Sequence, residues 1–206
     1  MSRVSWRPMP GLERPALVAA PGRDAAVCAV VVVLTAGVFA AVGDHGTLTS
    51  IQRLDDAWLR LMISGQAAPL TTIAKVFNIL GLVYVTLPVR MAVAGFLALR
   101  RRWWNLAAFT AAVVLSEVFP SGHAVAASAT VVAVVIALVP PGRRRAWAAL
   151  AAVAFSILMG LSRAYLGAHW LSDAVAGILL GISCAVVTAL MVGQIQRRVE
   201  ERQGAA

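Results

Sequence analysis

Two short polar clusters interrupt an otherwise apolar sequence. The first reads Phe119-Pro120-Ser121-Gly122-His123. The second reads Ser162-Arg163-Ala164-Tyr165-Leu166-Gly167-Ala168-His169-Trp170-Leu171-Ser172-Asp173. His169 and Asp173 are four residues apart. On a helix that begins before His169 they share a face and can hydrogen-bond. A carboxylate on one imidazole nitrogen fixes the tautomer and makes the other nitrogen a better base or nucleophile. Arg163 adds a permanent cation whose forked donors match phosphate oxygens. Together these residue types suit nucleophilic attack on a phosphoryl group. In the first cluster Ser121 can cap a helix and Gly122 lets the backbone come close to a ligand. Free N–H groups at such a helix start favour an oxyanion. His123 can pass a proton to a leaving oxygen.

Each cluster also has a plain structural reading. Pro120-Ser121-Gly122-His123 can be a helix start and nothing more. Arg163 can be an interfacial anchor, and His169 with Asp173 a structural pair at a helix end. His45 reads as solvated, and Asp55 with Asp56 as a solvated helix face. The histidines lack the close ligand spacing of a zinc site. Cys28 and Cys184 sit far apart inside apolar runs and read as small apolar filler. The chemical reading gains weight because both clusters fall at helix ends, on one side, in a chain with few polar residues.

The elements that must position these residues follow from composition and charge. The chain has 206 residues, 60% of them hydrophobic and only 13% charged, against about 25% charged in soluble domains. With a mean hydropathy of +0.82, it reads as one domain in a membrane. The formal net charge is +9. The arginines sit in short clusters between apolar runs, so the basic balance reads as topology and attraction to anionic headgroups, not as nucleic-acid binding.

The first apolar run, Ala25 to Val42, reads as a span and not as a cleaved secretory signal. Residues 43–70 mix Asp44, Arg53, Asp55 and Arg60 with Leu54, Trp58 and Leu61, the pattern of an amphipathic helix on the membrane surface. A second span runs from about Pro69 to the Arg100–Arg102 cluster. Lys75 lies near its start, and Arg90 within it either snorkels or faces the bundle interior. Further apolar runs cover 103–116, 124–139, 146–161 and 174–193. The first of these falls short of the roughly 20 residues that a span requires. The expected architecture is all-α: an integral membrane six-helix bundle with a short amphipathic interfacial helix between helices 1 and 2. Residues 1–24 form a basic cytoplasmic arm, 25–193 the membrane domain and 194–206 a polar cytoplasmic tail. Six spans put all four basic segments on one side. By the positive-inside rule both termini are cytoplasmic and both polar clusters face outward.

Pro120-Ser121-Gly122-His123 and Ser162-Arg163-x5-His169-x3-Asp173 resemble the second and third signature motifs of the type 2 phosphatidic acid phosphatase and vanadium haloperoxidase superfamily, in its membrane lipid phosphatase branch. The resemblance implies roles. His169 is then the nucleophile that forms a phosphohistidine, Asp173 orients it, and His123 protonates the leaving group. Ser121, Gly122 and Arg163 hold the phosphoryl oxygens. It implies no metal and no cofactor. The implied substrates are lipid phosphates and pyrophosphates, including phosphatidate and polyprenyl carriers. The high Ala, Val and Arg content fits a GC-rich bacterial genome, so a bacterial plasma membrane is the expected location.

The chain departs from the family at the first motif, a Lys followed by Arg-Pro before Pro-Ser-Gly-His. Here Val113-Val114-Leu115-Ser116-Glu117-Val118 runs straight into Phe119-Pro120. Two phosphate-binding cations are missing. By analogy with an oxyanion donor, each loss lowers the rate by about a hundred- to a thousand-fold. Lys75 is a candidate substitute. The expected function is therefore metal-independent hydrolysis of a lipid phosphate, impaired by the missing motif. Two rivals stand beside it. One is a non-catalytic relative that binds lipid headgroups. The other is a small transporter subunit with Arg90 and Lys75 along its path, which the scarcity of polar residues in the later spans disfavours.

Overall fold

The computed structural model describes residues 21–117 and 122–204. Most of the basic arm, residues 118–121 and the last two residues lie outside them. For Gly122 and His123 only the backbone is described. The described chain forms eight helices: α1 (Pro21–Gly43), α2 (His45–Ser64), α3 (Ala68–Leu80), α4 (Val83–Leu99), α5 (Trp103–Glu117), α6 (Gly122–Leu138), α7 (Arg143–Tyr165) and α8 (Leu171–Gly204).

This corrects the six-helix bundle. Only α1, α7 and α8 are each long and apolar enough to cross a membrane. A fourth crossing exists only if α3 and α4 count as one span, and they are bent by 49° to each other. The bend falls at Gly81, which packs against Met159 of α7; a Cβ there would lie 3.1 Å from the Met159 sulfur. α5 has 15 residues and α6 has 17. At 1.5 Å per residue they reach about 22 and 25 Å, short of the roughly 30 Å hydrocarbon core. They pair antiparallel: Asn105, near the start of α5, donates to the Ala137 carbonyl near the end of α6 at 3.0 Å. α8 runs unbroken to Gly204, so residues 194–204 continue the helix.

α6 and α8 form the centre, and small residues let them approach closely. Gly181 of α8 rests on Ser128, Val125 and Ala129 of α6, a contact that only a residue without Cβ permits. Leu97, Phe109, Ala112, Val132 and Ala185 fill the core below. α1 lies outside this centre, tied to α8 by a 2.8 Å hydrogen bond between the Thr35 and Ser183 hydroxyls. Its Val30, Val33, Leu34 and Phe39 are exposed, as suits a flank that faces lipid.

The helix ends are satisfied by specific side chains. Asp44 caps α2, accepting from the Thr47 amide at 2.9 Å and from its hydroxyl at 2.8 Å. These bonds, the amide first, hold the Asp44 carboxyl below its ordinary value of 3.8. At the far end of α6, Arg145 donates to the Val139 carbonyl at 2.7 Å and to the Ile136 carbonyl at 3.1 Å, meeting acceptors that a helix C-terminus leaves open. One member of the 143–145 basic cluster is thus part of the fold. Asp24, Arg145 and Leu190 line one cavity of about 490 Å³, so the starts of α1 and α7 and the later part of α8 gather at the same end.

Candidate active site

The start of α6, the end of α7 and the start of α8 meet at the opposite end, because α8 turns different faces to different neighbours. Gly177 faces α6: a Cβ there would lie 3.0 Å from the Ala124 Cβ. Ala174 and Ile178 face α7, where a Cβ on Gly160 would meet Ile178 at 2.6 Å and Ala174 at 3.4 Å. Asp173 stands one turn before Gly177 and lines a cleft toward α1 and α2. The first turn of α6, which carries His123, is therefore packed beside the second turn of α8. The last turn of α7, which carries Arg163, follows the Gly160 contact with α8. Ser121 and the side chains of Gly122 and His123 lie outside what is described.

The turn that delivers His169 has a local cause. Gly167 takes the left-handed conformation, with φ 66°. Its N–H bonds the Ala164 carbonyl at 3.3 Å, and the Ala168 N–H bonds the Arg163 carbonyl at 3.0 Å. This is the Schellman pattern, which ends a helix at a glycine. α7 therefore stops two residues before Gly167. α8 begins only at Leu171, so His169 precedes the helix. The condition for sharing a helical face with Asp173 is not met, and among the described residues no hydrogen bond joins the two. His169 is half-buried and Asp173 exposed.

Arg163 is turned toward α3. Its Nη1 donates to Asn78 Oδ1, while its Nε is buried with no hydrogen-bond partner. Trp58 Nε1 on α2 is likewise buried and unpartnered. Buried donors are nearly always satisfied, so the two stand out among the described residues. Two residues beyond Arg163, the Tyr165 hydroxyl meets Thr71 Oγ1 at 3.1 Å and accepts from the Ala67 N–H at 3.2 Å. α3 is thus braced to the end of α7 at two heights. Lys75 lies on α3 between these braces and is exposed; among the described residues nothing joins it to Arg163.

Two residues have roles that the sequence did not disclose. Arg90 faces the interior and does not snorkel. Its Nε donates to Thr130 Oγ1 at 2.9 Å, Nη2 to the Ala126 carbonyl at 3.2 Å, and Nη1 to Glu117 Oε1 at 2.7 Å. One guanidinium thus ties α4 to the end of α5 and the start of α6. Asp55 was expected on a solvated face, yet it is only 6% exposed. Its carboxylate accepts from the Ser172 amide at 2.9 Å and from the Ser172 hydroxyl at 2.5 Å. Asp55 and Asp173 share the lining of a cleft of about 330 Å³ with Val38, Phe39 and Ile51. The larger cavity at the other end holds none of the candidate residues. Among the described residues no group of three His, Cys, Asp or Glu side chains could hold a metal ion.

The chain is similar to known proteins in sequence profile and in fold. Residues 109–197 match the sequence profile of the PAP2 superfamily, a stretch that contains both clusters. No curated protein matches the chain. Among solved structures the fold is similar to that of the first transmembrane PAP2 type phosphatidylglycerolphosphate phosphatase from Bacillus subtilis, with a TM-score of 0.63 at 20% identity. The similarity covers 78% of this chain and 93% of that one. The profile match, carried by α5 to α8, makes this membrane protein similar to the PAP2 superfamily over that part of the chain.

Proposed function

We propose that the chain hydrolyses a lipid phosphate or pyrophosphate at the membrane surface through a phosphohistidine on His169. The observation that carries this reading is the convergence of three helix ends, the start of α6, the end of α7 and the start of α8, through the Gly160 and Gly177 contacts. His169 attacks phosphorus and the lipid oxygen leaves, taking a proton from His123. Water then attacks the phosphohistidine and releases phosphate. Asp173 orients His169 once substrate closes the gap between them; catalytic hydrogen bonds often tighten only in the complex. Arg163, with its unpartnered Nε, and the Ser121-Gly122 backbone stabilise the phosphoryl oxygens. The apolar wall of the cleft beside Asp173 suits a lipid tail.

The basic ends of the helices face the cytoplasm and the site faces outward. A broken α3–α4 span and a paired α5–α6 hairpin keep this parity whether or not the hairpin crosses fully. The bacterial relative's activity makes phosphatidylglycerol phosphate a natural member of the substrate panel, beside phosphatidate and polyprenyl pyrophosphate. Purified protein in detergent should release phosphate from at least one of these with chelator present. Vanadate should block release, and His169→Ala should abolish it. No release from any of them, with the helical content intact, rejects this reading.

A second reading, a headgroup-binding relative without turnover, has its own support. The cations of the family's first motif are missing, and Arg90 is engaged by Glu117. It is distinguished by tight binding of lipid phosphate vesicles with no phosphate release.

A further inference from the structure

We infer that Asp55 is a positioning residue, holding from α2 the loop and first helical turn that carry His169 and Asp173; this rests on the reading of His169 as the reacting group. α8 opens with free N–H groups, as every helix does. The residue before it is Trp170, whose indole offers no acceptor. The cap comes instead from another helix. Asp55 takes the Ser172 amide on one oxygen at 2.9 Å and the Ser172 hydroxyl on the other at 2.5 Å. An acceptor at this place in the first turn is what an N-cap normally supplies from within the helix. A negative charge there is also favoured by the helix dipole.

Ser172 stands three residues after His169 and directly before Asp173. Two bonds to one carboxylate fix both the height and the rotation of that turn. α2 also reaches the other end of the same loop: a Cβ on Gly167 would lie 3.8 Å from Leu59 Cδ1. Leu59 follows Asp55 by one helical turn, so one face of α2 braces the loop at Gly167 and at Ser172. A carboxylate 6% exposed on an otherwise mixed helix has no other partner among the hydrogen bonds described for it.

The test compares Asp55→Ala, Asp55→Asn, Ser172→Ala and the Asp55→Ala/Ser172→Ala pair in the full chain. Phosphate release is read as kcat and KM per folded protein, and hydrogen exchange over residues 169–173 is read alongside. Asp55→Ala should lower kcat at least tenfold with KM within about threefold, and speed exchange in that segment at least tenfold. Asp55→Asn, which can keep both bonds by turning the Ser172 hydroxyl into an acceptor, should recover most of the rate. The double variant should be no worse than Asp55→Ala alone. Exchange and kcat both within twofold of wild type in Asp55→Ala overturn the inference, and so does an Asp55→Asn loss as large as that of Asp55→Ala. If Asp55→Ala does not fold, Ser172→Ala carries the same test: a smaller loss with faster local exchange supports the inference, and no change in either overturns it. If wild-type protein releases no phosphate while Asp55→Ala still speeds exchange over residues 169–173, the phosphatase reading is rejected and the Asp55 grip stands.

Discussion

Gly181 of α8 and Ser128 of α6 touch so closely that a single methyl group cannot fit between them. A Cβ on Gly181 would overlap Ser128 Oγ and the Val125 carbonyl oxygen and lie 2.9 Å from the Ala129 nitrogen. Two of those three atoms are backbone, so the neighbour cannot yield by changing rotamer. Gly181→Ala should therefore destabilise the chain by at least the roughly 1–3 kcal/mol typical of overpacking. It should also separate the α6 and α8 ends that carry the site. Thermal unfolding in detergent checks the first effect and phosphate release the second. Gly177→Ala, which meets the Ala124 Cβ at 3.0 Å and Val125 only at 3.5 Å, should be milder in both.

Gly167 is needed for its backbone and not for space. At φ 66°, an alanine costs about 1 kcal/mol or more. Gly167→Ala should lower the unfolding temperature modestly and reduce phosphate release by disturbing the approach to His169. Gly167→Asn should fall between the two, because asparagine tolerates this conformation. Equal behaviour of both variants and wild type would show that the turn adopts another conformation.

Arg90 offers a test of the interior ion pair. Arg90→Ala removes a charged bond to Glu117 and leaves Thr130 and the Ala126 carbonyl without that partner. The cost should be on the order of 2–3 kcal/mol, as for hydrogen bonds to charged groups. Glu117 is about half exposed, so Glu117→Gln should cost much less. Arg90→Lys should recover only part, since an ammonium cannot reproduce the fork. Unfolding midpoints of the three variants settle the order.

The Asp44 cap predicts a pH response confined to α2. Its carboxyl is depressed in the folded chain, chiefly by the Thr47 amide. Its contribution is therefore fully present above the ordinary value of 3.8 and is lost as pH falls through the lower folded value. Exchange protection at Thr47 should drop in that acid range. Asp44→Asn, which caps without titrating, should remove the pH dependence.

The candidate residues are legible because polar residues are scarce in this chain. Arg163, His169 and Asp173 stand out against alanine, valine and leucine, and their spacing points to phosphoryl transfer without any structure. What escaped depends on tertiary placement. Asp55 alternates with Arg53, Asp56 and Arg60, so it reads as solvated; only the docking of α2 on α8 buries it. The bend at Gly81 is invisible to hydropathy, which registers the length of 69–99 but not its direction. The runs at 103–116 and 124–139 are visibly short, yet they read as spans, and six spans agree with an even crossing between the arginine clusters. An antiparallel α5–α6 hairpin keeps that parity without full spans. The order of His169 and the start of α8 turned on Gly167, whose left-handed φ stops α7 and leaves His169 in the turn.

The phosphohistidine on His169 is the claim on which the functional account stands. Wild-type protein mixed with lipid phosphate labelled at phosphorus, quenched in alkali within one turnover and cleaved at arginine, should carry acid-labile label in the peptide 164–197, which contains His169 as its only histidine. His169→Ala should carry none. Phosphate release without label in that peptide, or equal release by His169→Ala, contradicts it.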